Sequence, residues 1–281
     1  MGRCLEIKTV QASSFKILLE ALKDLLTDTC IEFDSTGVKI VAMDSSHIVL
    51  VHLKLEASKF EHYYCKSRTS VGVNMLNMHK LIKTIHNNDM LTLFMDDDDI
   101  NHLGIKIENG DKNTRSTFKL NLLDLDNPMI SVPPTEFSSV ITLPSSDFQK
   151  ICRDMHVISD TVEIKNVKNQ LIFECRGDFC SQETVLCDGG ATTTDGTGGS
   201  GSGSGSNNGS NNGSNNGSNN GNDDIVQGIF KLKYLVLFTK CTALCNTVEL
   251  YLKNDYPLVV KYSVASLGEL KLAIAPSVND F

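Results

Sequence analysis

No stretch of the chain approaches the run of roughly 20 apolar residues that a membrane span needs. The opening residues, Met1-Gly2-Arg3-Cys4-Leu5-Glu6, reach charge before an apolar core forms, so no secretion signal is expected. No CxxC occurs among the nine cysteines, an odd count lying partly inside apolar runs, where a thiol acts as a small hydrophobe. That usage fits a reducing compartment, nucleus or cytosol. GxSxG, Walker glycines, GxGxxG and HExxH are all missing, and the seven histidines have no cysteine partners at zinc spacing. The quartet Asp96-Asp97-Asp98-Asp99 lacks the glycine-bearing spacing of a calcium loop and follows a strand-like run. It reads as a solvated turn. Neither an enzyme nor a cofactor is expected.

What remains is globular material. The chain has 281 residues, 41% hydrophobic and 21% charged, enough for one large domain or two ordinary ones. Acid exceeds base, 34 residues to 26, for a net charge of −8. That total argues against holding nucleic acid by bulk attraction, so the placement of the charges decides.

Residues 189–222 are nearly all Gly, Ser, Asn and Thr, with Ser-Asn-Asn-Gly repeats. Such a segment cannot offset its own ordering entropy and reads as a disordered insertion. Strand-like sequence resumes after it, so it interrupts a domain and does not end one. Lengthening a loop from about 5 to about 34 residues costs only roughly 1.7 kcal/mol, which a fold can carry.

Elsewhere the chain reads as α+β, with many short strands and few helices. β-branched, partly alternating runs predict strands at 38–43, 47–55, 90–95, 105–108, 116–122, 138–143, 162–164, 171–175, 183–187, 247–252 and 258–264. Helical spacing predicts helices at 15–26, capped by Ser13 or Ser14, and at 76–86, 145–156 and 232–244. Helix, strands, helix and strands fill residues 1–122, and the same order returns after residue 137. Ser-Ser-Phe-Lys-Ile at 13–17 echoes Ser-Ser-Asp-Phe-Gln-Lys-Ile at 145–151, and 73–94 echoes 230–251 in apolar spacing. A duplicated unit follows. The expected division is therefore 1–122, a proline-rich extended connector at 123–137, and 138–281.

Charge is sorted onto the helices. The windows 13–26, 76–88, 145–156 and 231–245 hold nine basic residues: Lys16, Lys23, Lys80, Lys83, Lys150, Arg153, Lys231, Lys233 and Lys240. Against them stand four acids, Glu20, Asp24, Asp147 and Asp154, so the windows carry +5 and the rest of the chain −13. Spacings of three and seven put each basic pair on one helix face, Lys231 excepted. Helices gathered on one surface would make it positive, able to hold phosphate backbones without reading bases. No aromatics interleave the lysines, which favours duplex over single strand.

The segments Leu19-Glu20-Ala21-Leu22-Lys23-Asp24-Leu25, Ala42-Met43-Asp44-Ser45-Ser46-His47, Leu123-Asp124-Leu125-Asp126 and Ile151-Cys152-Arg153-Asp154 stand in this order. Phe238-Thr239-Lys240, Pro257-Leu258-Val259-Val260 and Ala275-Pro276 follow. Together they resemble the eukaryotic sliding clamp family, proliferating cell nuclear antigen. The resemblance covers most of the chain outside 189–222. It implies a DNA clamp fold: two similar domains, each with two helices on antiparallel sheets, assembled as a homotrimeric ring of six domains around duplex DNA. It places Lys16, Lys23, Lys80, Lys83, Lys150, Arg153, Lys233 and Lys240 at or near the inner wall. It implies a nuclear processivity factor for replication and repair, tethering the replicative DNA polymerase, clamp loader, flap endonuclease, DNA ligase and other proteins bearing a PIP-box peptide. The groove for that peptide falls on Met43, His47, Ile48, Leu50, Met129, Ile130, Val132, Pro257, Ala275 and Pro276. Subunit contacts fall on 115–121 and 182–186, and a modifiable lysine on Lys168. One departure is Ala273, where the family often has an aromatic residue, predicting a thinner groove wall. A subunit of a heterotrimeric checkpoint clamp is the alternative of the same fold.

Overall fold

The computed structural model describes residues 2–126, 130–168, 170–186, 192–193 and 225–277. The expected insertion lies outside them except for Thr192 and Thr193, and so does the predicted groove residue Met129.

The first half runs β1 (Arg3–Thr9), α1 (Ala12–Leu22), β2 (Asp28–Asp34), β3 (Gly37–Met43), β4 (Val49–Glu56), β5 (His62–Cys65) and β6 (Thr69–Asn74). It continues with α2 (Met75–Ile82), β7 (Asp89–Asp96), β8 (Asp99–Asn109) and β9 (Thr114–Asn121). The second half runs β10 (Ser139–Pro144), α3 (Ser145–His156), β11 (Thr161–Val167), β12 (Gln170–Arg176), β13 (Ser181–Leu186) and β14 (Thr192–Thr193). After it come β15 (Val226–Lys231), α4 (Leu232–Phe238), a 3-10 turn (Thr239–Leu244), β16 (Thr247–Leu252), β17 (Leu258–Val264) and β18 (Gly268–Ile274).

Pairing among these strands is antiparallel and repeats from half to half. Sheet order β5-β1-β7-β8-β9 in the first half matches β14-β10-β16-β17-β18 in the second. Likewise β6-β2-β3-β4 matches β15-β11-β12-β13. The halves are sewn together by β18 on β4, which fuses two of the four sheets into one of nine strands. Alternation decides which face is buried: in β18, Leu270, Leu272 and Ile274 are fully buried while Glu269, Lys271 and Ala273 face the other way.

Several boundaries differ from the sequence reading, for local reasons. Helix α1 starts at Ala12, because the Thr9 hydroxyl accepts from Gln11 N (3.0 Å) and turns the chain early; Ser13 and Ser14 lie inside the helix. It ends at Leu22, yet Leu25 and Leu26 stay buried because a following turn carries the apolar stripe onward. For α2 the cap is the Asn74 side chain, which accepts from Asn77 N, and the helix closes at Ile82. The last expected helix tightens to 3-10 at Thr239, where the Thr239 and Thr242 hydroxyls bond back to carbonyls three residues earlier. Strands β1, β2, β5, β6, β15 and β18 were not anticipated. Thr192–Thr193, inside the segment read as disordered, forms a two-residue strand on β10, where β-branched residues suit a sheet edge.

The helices make one continuous layer. Helix α1 packs on α2, α3 on α4, and the 3-10 turn touches both α1 and α3. No helix among the described residues is long and apolar enough to cross a membrane.

Candidate nucleic-acid interface and partner groove

The eight basic residues expected on the helix layer divide into two groups. Lys80, Lys83, Lys150, Arg153, Lys233 and Lys240 are exposed, whereas Lys16 and Lys23 are half-buried. The Lys16 ammonium donates to the Ile85 carbonyl (3.1 Å), and Lys23 reaches Glu20 (3.3 Å) and Asp24 (3.1 Å). Lys240 meets the same Asp24 at 2.5 Å, while Lys150 pairs with Asp154 at 3.1 Å. Lys233 lies over the Tyr234 ring (4.7 Å), and Lys83 and Arg153 make no ion pair among the described residues. Burial alone would push the Asp24 carboxyl up, but hydrogen bonds from Lys240 and Lys23 hold it below its ordinary value. Burial likewise disfavours the Lys23 ammonium, and Asp24 and Glu20 outweigh it, raising its pKa. Lys112, not among the residues expected on this face, lines a depression of about 530 Å³ with Lys16, His86, Asn87 and Asn88. It sits on a β8–β9 turn, where helical periodicity has no reach.

The candidate partner groove rests on one row of side chains crossing five strands. Tyr251, Val259, Ala273, Leu50 and Met43 are register neighbours from β16 to β3. Over four of them lies a cavity of about 450 Å³, closed by connector residues Val132, Pro133, Pro134 and Thr135 and by Phe137, Tyr256 and Pro257. Phe137 stands edge-on between Tyr251 (5.3 Å) and Tyr256 (5.8 Å). Both tyrosine hydroxyls are held. That of Tyr251 donates to Glu249 at 2.5 Å, and that of Tyr256 bonds the Thr135 hydroxyl at 2.7 Å. Burial, then the Glu249 carboxylate, pushes the Tyr251 phenol up to about 12. His52, also in the wall, has its pKa lowered by burial and by Lys39 and Lys271.

Of the residues expected in this groove, Leu50, Val132 and Pro257 line the cavity. Met43 continues its floor as an exposed side chain, and Ile130 and Ile48 are half-buried outside it. Ala275 N donates to the Ile48 carbonyl (3.0 Å), and Pro276 borders a separate polar cleft with Glu163, Asp255 and Ser277. The sequence reading missed Phe137, Tyr251, Tyr256, Val259 and His52; Tyr251, Val259 and His52 are brought together by strand register, and Phe137 and Tyr256 by the loops that flank those strands, neither of which a single sequence displays. Ala273, the expected thin wall, is the small residue of the row and leaves the cavity open above it.

Within the Met43–His47 motif, Asp44 and Ser46 hold the loop together, while Met43 and His47 are exposed. Asp44, 7% exposed, accepts from Ile48 N (2.8 Å), Val49 N (2.7 Å) and the Ser46 hydroxyl. Burial would raise its carboxyl; the donors prevail and lower it. His47 takes φ 55° in this loop, and Ser46 bonds the Tyr234 hydroxyl on α4 (2.7 Å).

At the sheet ends, β9 and β13, which contain the expected contact segments, are both terminal strands of their sheets. Lys168 is exposed at the β11–β12 hairpin with φ 49°. In the acidic run, Lys66 holds Asp97 (2.9 Å) and Lys119 holds Asp99 (2.7 Å), with His102 2.5 Å from Asp99. Asp124 and Asp126 are exposed while Leu125 between them is half-buried. No group of three or more His, Cys, Asp or Glu residues among the described residues could hold a metal ion.

Comparison with known proteins accounts for the repeated plan. Residues 4–129 match "Proliferating cell nuclear antigen, N-terminal domain", and 131–197 with 188–277 match "Proliferating cell nuclear antigen, C-terminal domain". The chain is 35% identical over 279 residues, 97% of each sequence, to "Probable DNA polymerase sliding clamp 1" of Paramecium bursaria Chlorella virus 1. With two copies of one strand-and-helix plan fused through β4 and β18, the chain has the DNA clamp fold and belongs to the proliferating cell nuclear antigen family of sliding clamps.

Proposed function

We propose that three copies of this chain close into a ring around duplex DNA, with the helix layer facing the bore, and tether a replicative polymerase and other PIP-box proteins. One observation carries the reading. Strand β9 holds in the first half the place that β18 holds in the second, and β13 holds the place of β4. Since β18 pairs with β4 inside the chain, a β9 of one copy on a β13 of the next repeats that seam between copies. Every seam then turns the chain by the same step, and the helices stay on one side. Two domains, 1–122 and 138–281, joined by the connector 123–137, are the units of this ring.

Mechanism follows from topology. A closed ring cannot leave an unbroken duplex sideways, so weak, salt-sensitive phosphate contacts suffice and motion along the axis stays free. Basic helices supply those contacts, and the acidic remainder repels DNA from other faces. The cavity over Tyr251, Val259 and Ala273 suits the aromatic plug of a PIP-box peptide, since buried aromatics carry most of the energy in such interfaces. Such peptides are expected on the polymerase, clamp loader, flap endonuclease and DNA ligase, in the nucleus, where the free thiols of this chain suit a reducing setting. Exposed Lys168 is the proposed modification site.

Light scattering of the purified chain should give a mass near three times 30.8 kDa. A monomer at micromolar concentration rejects self-closure and leaves the heterotrimeric alternative. Reversing Lys80, Lys83 and Lys150 to Glu should lower duplex affinity and processive synthesis more than tenfold; unchanged processivity on primed DNA rejects the helix face.

A further inference from the structure

Among the basic residues of the helix layer, three neighbouring charges stand apart. Asp24, in the turn after α1, has Lys23 3.3 and 3.1 Å from its two oxygens and Lys240 at 2.5 Å, on the 3-10 turn 216 positions away. Glu20 takes Lys23 as well, at 3.3 Å. The charges of Glu20, Lys23, Asp24 and Lys240 therefore cancel. On the same layer Lys80, Lys83, Arg153 and Lys233 have no carboxylate partner among the described residues.

We propose that Asp24 is a positioning residue that sets how firmly the clamp holds DNA, by occupying Lys23 and Lys240 so that their ammonium groups are not free for phosphate. The proposal rests on the reading of the helix layer as the DNA face. The pairs are partly exposed, with side-chain exposures of 15% for Lys23, 37% for Lys240 and 31% for Asp24. Exposed pairs are weak and exchange readily. A phosphate can therefore take either lysine, but only by displacing the carboxylate, and the gain per contact is smaller than at Lys80 or Arg153. A clamp that slides benefits from that arrangement: the neutral junction of the two halves offers the backbone no fixed grip, only lysines it must share with a carboxylate. The same carboxylate ties α1 to the second half, so its loss alone would loosen the layer slightly. A salt titration separates that structural effect from the electrostatic one.

The test uses a random-sequence duplex of about 30 base pairs and fluorescence anisotropy from low to moderate salt. Each lysine freed for phosphate steepens the slope of log K against log salt by about 0.9, equivalent to roughly tenfold tighter binding at 0.1 M. Asp24→Asn should steepen the slope by about one, since it frees Lys240 while Glu20 still holds Lys23, and Asp24→Glu should keep the wild-type slope. Lys240→Gln should flatten the slope far less than Lys80→Gln, and this comparison stands even where Asp24→Asn fails to fold. An Asp24→Asn slope equal to or shallower than wild type overturns the proposal, as does Lys240→Gln matching Lys80→Gln. Wild-type protein with no salt-sensitive binding overturns the DNA face itself, and this inference with it.

Discussion

The β4·β18 seam and the edges at β9 and β13, open among the described residues, occupy matching places in the repeated plan, yet they are built differently. At the seam, Leu53 faces Leu270, Val51 faces Leu272 and Val49 faces Ile274, every one of them 2% exposed or less. Strand β9 buries only Leu120 and half of Phe118, and β13 presents Gln182, Thr184 and a 39% exposed Val185. A third edge, β6, is neither fused nor open. Leu123 N donates to the Gly72 carbonyl (2.8 Å), so the start of the connector lies along it. The lesson is one of permanence. A seam inside one chain never needs to part and can bury a wholly apolar face, whereas an edge that meets water must be tolerable there, as the proposed seam between copies requires when the ring opens.

Three changes sharpen that contrast, ordered by their expected effect on the stability of the single chain. Leu272→Ala removes a fully buried side chain from the seam and should cost about 2–5 kcal/mol in denaturant unfolding. A loss under about 1 kcal/mol would show that the seam is not a cohesive core. Gly72→Ala puts a Cβ 2.3 Å from the Leu123 carbonyl oxygen and 2.9 Å from Leu125 Cγ. It should cost about 1–3 kcal/mol and release the connector, seen as faster amide exchange at Leu123 and weaker PIP-peptide capture. Unchanged exchange there would mean that the connector is held elsewhere. Phe118→Ala, at the edge and only half-buried, should cost the single chain only about 1 kcal/mol while shifting the mass in light scattering from trimer toward monomer. A trimer that persists on dilution to nanomolar concentration would place the contact off β9.

The same contrast explains what could be read in advance. Strands β16 and β17 and helix α3 were legible to the residue, because each is bounded by turn-forming residues and carries an unbroken apolar period. Strands β1 and β18 alternate just as cleanly but carry Lys and Glu on their outward faces, and isolated from partners they gave too little apolar signal. In the groove, Leu50, Val132 and Pro257 came from the family resemblance; Tyr251 and Tyr256 were invisible because what gathers them is Phe137, more than 110 residues earlier, standing between their rings.

By itself, the sequence determined the α+β class, the repeat, the sorting of base onto helices and the family, because period, composition and motif order are local properties of the chain. Only the tertiary structure decided that Lys23 and Lys240 share one carboxylate, that Tyr251, Val259, Ala273 and Leu50 form one floor, and that β4 is sealed while β13 is not. Those facts are pairings between residues more than 200 positions apart, Lys240 with Asp24 and β18 with β4, fixed by strand register and helix packing, and no local pattern encodes which distant partner a side chain will meet.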